Sequence, residues 1–458
     1  MEDMIKEMKR RFKPYAEKFP SFKSLPEKGL DREKILELVR SMVSAEDKRW
    51  RDGYVSGAVY NGERDHVDFT NLAYSIASQV NPLHPDVWPS SLKFENEIVS
   101  MVGSMLHGDD RIRGTVTSGG TESILLAMKT YRDYAMAERG ITAPEIVLPV
   151  SAHAAFDKAC HYFGIKPVWT ELRDDYSADP ERIKEKINEN TIAIVGSAPG
   201  FPYGVIDPLK RLSDVAVEKG VPLHVDACLG GFLLPWAKKL GYDIPEFDFN
   251  LEGVTSISVD THKYGYAPKG TSVILYRNSE LFQHQLYVKG DWPGGIYFSP
   301  ALAGSRSGGV IASAWAALLE MGKSGYLEYA RRILETASEI RRGVKEIAGL
   351  KLMGESPFVI AFTSDEVNIY RVMDLMARRS WNLNGLHRPP GVHLAVTIRH
   401  TMRGVVERFL ADLSQSVVEA RKNTEEDSGM APIYGMAATF PSDAVREIMK
   451  TLVEWMYS

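Results

Sequence analysis

The stretch VTSISVDTHKYG, residues 254–265, decides how this chain is interpreted. Its first half is apolar and β-branched, which is typical of a strand buried within a sheet. A polar cluster follows at once and contains Lys263, so an amine stands where the strand ends. Ligands of open α/β sheets bind beyond the carboxyl ends of the strands. The stretch therefore predicts a strand that delivers a lysine to a ligand site.

Apolar, β-branched runs of the same kind lie on both sides of this stretch and alternate with amphipathic helices. They are EIVLPV (145–150), KPVWTEL (166–172), IAIVGSA (192–198), PLHVDAC (222–228) and TSVILYR (271–277). Alternation on this scale indicates βαβ units around a mostly parallel, buried sheet. The expected fold class is therefore α/β.

The rest of the chain divides around this α/β region. Two long helices are predicted over residues 309–322 and 326–347, and shorter strands and helices follow them. We expect an N-terminal segment of helices and loops at 1–104, a large α/β domain at 105–325 and a small C-terminal α+β domain at 326–458.

Composition excludes several classes of protein. The 458 residues are 44% hydrophobic and 25% charged, which is ordinary for a globular protein and excludes a disordered chain. The net charge of −5 argues against a basic nucleic-acid binder. Cys160 and Cys228 form no Cys-x-x-Cys pair, so we predict no metal site and expect a reducing, cytoplasmic compartment. We also expect neither a signal peptide nor a membrane span.

Three features near predicted strand ends point to one cofactor. TVTSGGTES (115–123) places two glycines and several hydroxyl groups at a helix N-terminus, which suits a phosphate. Asp226 ends the strand in PLHVDAC, and Lys263 follows the strand quoted above. Pyridoxal 5'-phosphate needs a lysine for its Schiff base, a carboxylate for its ring nitrogen and donors for its phosphate. Each feature alone is more often a turn, a cap or a solvated lysine, but together they favour this cofactor.

The longer run SISVDTHKYGYAPKGTSVILYR (256–277) resembles the active-site region of the sphingosine-1-phosphate lyases, a family of pyridoxal-phosphate decarboxylases of fold type I. The resemblance extends over roughly residues 50 to 440. Further similar segments are VTSGGTESILLAMKTYRD, HAAFDKA, SAPGFPYGVIDP, HVDACLGGF, GSRSGG, NPLHPDVWPS and TIRHT. Two departures are expected: this chain lacks the membrane anchor of eukaryotic members, and it has Tyr203 where many of them have histidine.

The resemblance implies the residues of the cofactor site. Lys263 is expected to be the Schiff-base lysine, Asp226 the partner of the ring nitrogen, and His153 the residue that stacks on the ring. The alternative for His153 is a histidine that merely starts a helix. The residues expected at the phosphate are Gly119, Gly120, Thr121 and His262, with Gly304 and Ser305 reaching it from a second subunit. The resemblance thus implies a homodimer with composite sites, although the glycines of GSRSGG alone indicate only a flexible turn.

The resemblance also implies a substrate side. Lys269 lies six residues beyond Lys263 in a loop bounded by glycine and proline, so it suits a substrate phosphate unless it is a solvated loop lysine. The residues expected to contact substrate from the N-terminal region are Tyr60, Asn81 and His84. Tyr203 is expected to act as acid or base near the cleaved bond, and it joins Lys263 and His153 as a catalytic residue.

The function implied is retro-aldol cleavage of the C2–C3 bond of a phosphorylated sphingoid base, which gives a long-chain aldehyde and phosphoethanolamine. The alternative among enzymes is an amino-acid decarboxylase with the same cofactor core. Such an enzyme would bind a carboxylate in place of a phosphate, and Lys269 and His84 argue against it. A third hypothesis is a catalytically silent binding protein, which loss of Lys263 or Asp226 would favour, and both are present.

Overall fold

The computed structural model describes residues 13–15, 18–44, 46–422 and 441–457. Its centre is a seven-stranded sheet in the order β1-β7-β6-β5-β4-β2-β3. The strands are Arg113–Thr117 (β1), Glu145–Pro149 (β2), Lys166–Thr170 (β3), Thr191–Ser197 (β4), Leu223–Asp226 (β5), Val254–Val259 (β6) and Ser272–Tyr276 (β7). Every apolar run identified in the sequence forms one of these strands, which confirms the α/β class.

Strand direction determines where the strands' carboxyl ends meet. β3, β2, β4, β5 and β6 pair in parallel, whereas β7 is antiparallel to both β6 and β1. β1 therefore runs in the same direction as β6, and six strands end at one edge. Successive strand residues point to opposite faces, so Ile194 packs in one apolar cluster and Val195 in another. Both faces of the sheet are consequently covered.

Helices connect and cover the strands. They are Arg32–Ser44 (α1), Asp47–Arg51 (α2), Arg64–Ile76 (α3), Pro89–Met105 (α4), Gly120–Arg139 (α5), Ala155–Phe163 (α6), Pro180–Lys186 (α7), Leu209–Lys219 (α8), Leu234–Lys239 (α9), Ser279–Gln283 (α10), Gly308–Glu346 (α11), Ile369–Arg378 (α12), Val405–Lys422 (α13) and Ser442–Met456 (α14). The two long helices predicted after residue 308 form the single element α11. Its backbone leaves the helical conformation at Gly322 (φ 50°, ψ 178°), close to the predicted break.

Two smaller sheets complete the fold. The two-stranded hairpin, which the sequence analysis did not predict, consists of Tyr287–Trp292 (β8) and Gly295–Ser299 (β9). The four-stranded antiparallel sheet consists of Lys351–Leu352 (β10), Val359–Thr363 (β11), Asn384–Leu386 (β12) and Gly391–Ala395 (β13). With α12 and α13 it forms the expected C-terminal α+β part.

The predicted domain boundaries remain predictions. The N-terminal segment and the C-terminal domain each include residues outside the described ranges, among them 1–12 and 423–440.

Within the described ranges, no helix has the length and apolar character needed to cross a lipid bilayer.

Candidate active site

The carboxyl ends of the strands border a cleft of about 320 Å³, which is within the usual range for small-molecule sites. β5 ends at Asp226, β6 ends one residue before Asp260, and the following turn brings Lys263 to the cleft. The residues that line the cleft are Ser118, Gly119, Gly120, Thr121, Glu122, Ile124, His153, Pro199, Phe201, Asp226, Cys228, Leu229, Asp260, His262 and Lys263. Every residue predicted for the cofactor is present except Gly304 and Ser305.

Lys263 is held by a carboxylate that the sequence analysis did not select. Its Nζ atom lies 2.8 Å from Oδ2 of Asp260, and the two side chains are 23% and 2% exposed. Burial lowers the pKa of Lys263, but attraction to Asp260, with smaller contributions from Cys228 and Tyr60, outweighs it and raises that pKa. Burial raises the pKa of Asp260, but Lys263, with smaller contributions from His262 and Ser272, outweighs burial and holds that pKa below its ordinary value. The pair is therefore an ammonium and a carboxylate at neutral pH.

The N-terminus of α5 forms another wall of the cleft. α5 begins at Gly120 and runs for 20 residues. A Cβ atom at Gly120 would lie 2.7 Å from Oδ1 of Asp260 and 2.8 Å from Sγ of Cys228, so the close approach requires glycine. The first N–H groups of a helix have no partner within it and stabilise an anion. An anionic group can therefore bind beside Lys263.

An unsatisfied polar atom tests whether the site suits a cofactor. Oδ1 of Asp260, a residue of the cleft lining, is buried without a hydrogen-bond partner among the described residues. Such atoms are uncommon in folded proteins and call for a functional explanation. The cleft combines an amine, a helix N-terminus and the carboxylate of Asp226, which are the groups that pyridoxal 5'-phosphate needs. The residues present therefore fit that cofactor.

Asp226 is firmly placed at the end of β5. Its side chain is buried, and its Oδ1 atom accepts hydrogen bonds from the backbone N–H of Cys228 (3.1 Å) and the hydroxyl of Ser258 (3.3 Å). Two donors on one oxygen restrict rotation of the carboxylate. This restriction suits a group that must meet a ring nitrogen in one orientation.

Two histidines line the cleft in different ways. Nδ1 of His262 donates to the backbone oxygen of Thr271, and its Nε2 lies 3.8 Å from Oδ2 of Asp260. Burial lowers the pKa of His262. His153 is exposed, and its Nδ1 accepts a hydrogen bond from the backbone N–H of Ala155 (3.1 Å). A neutral His153 ring therefore carries its proton on Nε2.

Lys269 and Tyr60 meet beside the cleft. Nζ of Lys269 donates to the backbone oxygen of His262 (3.3 Å) and lies 4.7 Å from the centre of the Tyr60 ring. That ring is buried and packs edge-on against Tyr264 at 4.8 Å. Desolvation by surrounding protein atoms, together with the charge of Lys263, lowers the pKa of Lys269 to about 8. Part of the Lys269 side chain nevertheless faces solvent. Lys269 is therefore an exposed lysine that contacts Tyr60 and the backbone of the residue before Lys263.

The loop GSRSGG (304–309) is anchored by side chains from the N-terminal region. Asn81 donates from Nδ2 to the hydroxyl of Ser305 (3.0 Å). Arg306 makes two hydrogen bonds to the carboxylate of Glu95, at 2.7 and 2.9 Å. These hydrogen bonds connect the loop to the N-terminal region, and the role of Gly304 and Ser305 stays a prediction. Ser305 itself is exposed and does not line the cleft of its own chain.

None of the residues predicted for the substrate lines the cleft, and neither does Tyr203; those outside it are Tyr60, Asn81, His84, Tyr203 and Lys269. His84 is exposed, and its ring centre is 6.3 Å from that of Trp88. Tyr203 is buried with its ring centre 4.6 Å from that of Tyr176, in an apolar cluster that reaches the small sheet. Burial, with a contribution from Tyr176, raises the pKa of Tyr203. Phe201, from the same loop, lines the cleft instead.

Sequence reasoning missed eight of the fifteen residues that line the cleft, among them Asp260, Cys228 and Phe201. Asp260 could have been identified, because it follows an apolar strand and lies three residues before Lys263. Cys228 and Phe201 carry no such signal, because a small thiol and an aromatic ring are ordinary components of a core.

Comparison with known proteins identifies the family. Residues 17–362 match the pyridoxal-dependent decarboxylase conserved domain, which confirms pyridoxal 5'-phosphate as the cofactor. The chain is 45% identical over 438 residues to a sphingosine-1-phosphate lyase of Drosophila melanogaster, and the match covers 95% of this chain and 80% of the fly protein. It is 35% identical over 393 residues to a probable L-aspartate decarboxylase of Pyrococcus abyssi, covering 85% of this chain and 98% of that protein.

Solved structures agree with these matches. The sphingosine-1-phosphate lyase of Burkholderia pseudomallei has a TM-score of 0.88 and 47% identity, covering 89% of this chain and 95% of that one. Glutamate decarboxylase of Lactobacillus brevis, at 21% identity, shares the fold with a TM-score of 0.76 and covers 90% of this chain and 98% of that one. The chain therefore belongs to the sphingosine-1-phosphate lyase family, within the pyridoxal-dependent decarboxylases.

Proposed function

We propose that this chain cleaves phosphorylated sphingoid bases between C2 and C3 and releases a long-chain aldehyde and phosphoethanolamine. The observation that carries the proposal is a second lysine beside the one that lines the cleft. Lys263 lies in the cleft beside Asp260, and Lys269 lies outside the lining, on the ring of Tyr60, and donates to the backbone oxygen of His262, the residue before Lys263. One amine is needed to attach the cofactor, and the second is available to a substrate phosphate.

The cofactor contacts proposed here follow the cleft lining. When bound through Lys263, pyridoxal 5'-phosphate supplies a sink for the electrons of the bond that breaks. Asp226 keeps the ring nitrogen protonated by offering it a negative charge, and His153 covers the ring. The groups assigned to the cofactor phosphate are Gly119, Gly120, Thr121 and His262. Their common position on one cleft supports these assignments.

The reaction needs a proton removed from the C3 hydroxyl and a proton delivered to C2. The amine of Lys263 would remain in the cleft once substrate replaced it on the cofactor. The contact with Asp260 would hold that amine where it can transfer a proton. His153 presents a hydrogen-bond donor at Nε2, because its Nδ1 accepts from Ala155. We assign proton delivery at C2 to Lys263, and the acid or base role of Tyr203 stays a prediction.

The substrate phosphate is assigned to Lys269. Its ammonium is held by Tyr60 and by a backbone oxygen, so little side-chain freedom remains to be lost when a phosphate binds. Asn81 and His84 stay proposed contacts on the N-terminal side. An amino-acid substrate has no phosphate to meet Lys269, and this difference favours the lyase over a decarboxylase.

We further propose a homodimer whose sites are composite. The β8–β9 hairpin exposes an apolar set consisting of Val288, Trp292, Ile296 and Phe298. A lone two-stranded hairpin is marginally stable in water, and an exposed apolar patch of this kind marks a protein contact. The hairpin leads directly into the anchored loop at 304–309, which supports the assignment of Gly304 and Ser305 to the cofactor phosphate of a second copy.

The test is aldehyde release. The protein loaded with pyridoxal 5'-phosphate is incubated with a phosphorylated sphingoid base, and the aldehyde is trapped and quantified. We expect aldehyde and phosphoethanolamine in equal amounts. Carbon dioxide released from an amino acid, with no aldehyde from the phosphorylated base, would establish the decarboxylase alternative instead.

A further inference from the structure

A line of buried polar side chains runs behind Asp226. Its members lie on α5, β5 and β6, and they are Tyr131, His224, Ser256 and Ser258. All four are fully buried, and none of them lines the cleft. Burying a polar group is costly unless it forms hydrogen bonds. The hydrogen bonds among these four side chains therefore need an explanation.

The four side chains form one continuous hydrogen-bonded line that ends on Asp226. The hydroxyl of Tyr131 lies 2.5 Å from Oγ of Ser256, which lies 2.7 Å from Nδ1 of His224. Nε2 of His224 lies 3.2 Å from Oγ of Ser258, which lies 3.3 Å from Oδ1 of Asp226.

The direction of the hydrogen bonds can be deduced by starting from the bond to Asp226. An ionised carboxylate only accepts, so Ser258 donates its hydrogen to Asp226 and accepts from Nε2–H of His224. Burial lowers the pKa of His224 to about 4, so its ring is neutral and Nδ1 accepts from Ser256. The hydroxyl of Tyr131 lies within hydrogen-bond distance of both Ser256 (2.5 Å) and Thr255 (2.7 Å), so its direction is not fixed by the line. From Ser256 onward, the donors point toward Asp226.

We infer that His224 is a positioning residue for the cofactor, because it fixes the hydroxyl of Ser258 as a donor to Asp226. A serine hydroxyl rotates to suit its surroundings, and a ring N–H on a rigid strand removes that freedom. Successive hydrogen bonds also polarise one another, which strengthens the last donor. The inference rests on the proposed function, since it takes Asp226 as the partner of the cofactor ring nitrogen.

The test compares two probes on the same apoprotein. One is pyridoxal 5'-phosphate, and the other is its 1-deaza analogue, which has carbon in place of the ring nitrogen. Only the first can pair with Asp226, so the ratio of the two dissociation constants measures that pairing and is insensitive to general loss of packing. We expect the wild type to prefer pyridoxal 5'-phosphate. Ser258→Ala and His224→Phe should each reduce the preference about three- to tenfold.

Thr130→Val is the matched control. It also removes a buried hydroxyl from α5, on the residue beside Tyr131, but this hydroxyl bonds to the hydroxyl of Tyr276 (2.9 Å) and not to Ser256, His224 or Ser258. The control should keep the wild-type ratio. An unchanged ratio in Ser258→Ala would overturn the inference, and His224→Phe decides the question if Ser258→Ala does not fold. A wild type with no preference between the two probes would overturn the assignment of Asp226 itself.

Discussion

The ammonium of Lys263 lies 2.8 Å from Oδ2 of Asp260, a carboxylate whose Oδ1 has no hydrogen-bond partner among the described residues. Gly120 approaches that carboxylate too closely for any side chain to intervene. The pair therefore sits against the helix N-terminus where an anionic group is stabilised. Before the cofactor attaches, Asp260 keeps the lysine in its charged and unreactive form.

This relationship predicts how cofactor attachment depends on pH. Attachment needs the neutral amine, and the pKa of Lys263 is raised, so the neutral fraction grows as pH increases. The attachment rate of apoprotein should rise roughly tenfold per unit between about pH 7 and 9, the slope of a single proton loss. Asp260→Asn removes the main group that opposes the effect of burial, lowers that pKa and should flatten the slope.

Growth of the visible band of the bound cofactor measures this rate. Borohydride then fixes the cofactor to the protein, and Lys263→Ala, as the control, should give no stable adduct at any pH and no turnover. A rate independent of pH in the wild type would contradict the ion-pair explanation. A reducible adduct that persists in Lys263→Ala would remove Lys263 from its role.

Removal of Lys269 should change substrate selectivity. A hydrogen bond to a charged group contributes about 1.5–3 kcal/mol, or roughly ten- to a hundredfold in rate. Lys269→Ala should therefore lower kcat/KM for a phosphorylated sphingoid base by that factor and leave the slow reaction of the unphosphorylated base nearly unchanged. Lys210→Ala, at an exposed lysine paired with Asp214 on α8, is the control and should affect neither substrate. Equal losses on both substrates would mean that Lys269 serves the cofactor or the fold.

The lowered pKa of Lys269 predicts an alkaline limit for the phosphorylated substrate. A lysine is charged below its pKa and neutral above it, so the phosphate contact is lost as pH rises through about 8. The profile of kcat/KM reports the free enzyme, and it should fall above that pH. Lys269→Arg remains charged throughout and should lose this part of the profile. The same alkaline fall in wild type and Lys269→Arg would assign it to another group.

Mixed dimers test the composite site. Lys263→Ala lacks the attachment point, and Ser305→Asp places a carboxylate where a phosphate is proposed to bind. Co-refolded, the two inactive variants should recover roughly a quarter of the wild-type sites, because half of the dimers are mixed and each mixed dimer has one intact site. Each variant refolded alone provides the baseline. Mixed dimers that form without any recovery would rule out the cross-subunit assignment.

Lys263, Asp226 and Gly120 could be predicted from the sequence because each lies at or just beyond the end of a strand. The carboxyl ends of those strands meet at one edge, so local patterns are enough to place the three residues together. Asp260 could have been selected from its position three residues before Lys263, but the sequence does not show which of the two strand-end aspartates pairs with the lysine. Both aspartates have the same local pattern, and only the turn after β6 distinguishes them.

The predicted position of Tyr203 illustrates a different limit. Its loop was placed correctly at the cleft, since Phe201 lines it. The direction of the Tyr203 side chain depends on packing against Tyr176 and Met353, and Met353 is far from Tyr203 in the chain.

The β8–β9 hairpin was missed although PGG marks its turn, because both of its strands are exposed and no buried face imposes a regular alternation.

The measurement that tests the central claim most directly is product analysis in heavy water. The holoenzyme is incubated in D₂O with a phosphorylated sphingoid base, and the products are examined by mass spectrometry. Cleavage at C2–C3 followed by protonation at C2 predicts equal amounts of a long-chain aldehyde and of phosphoethanolamine with one carbon-bound deuterium. Intact substrate, together with carbon dioxide released from an amino acid, would contradict the account.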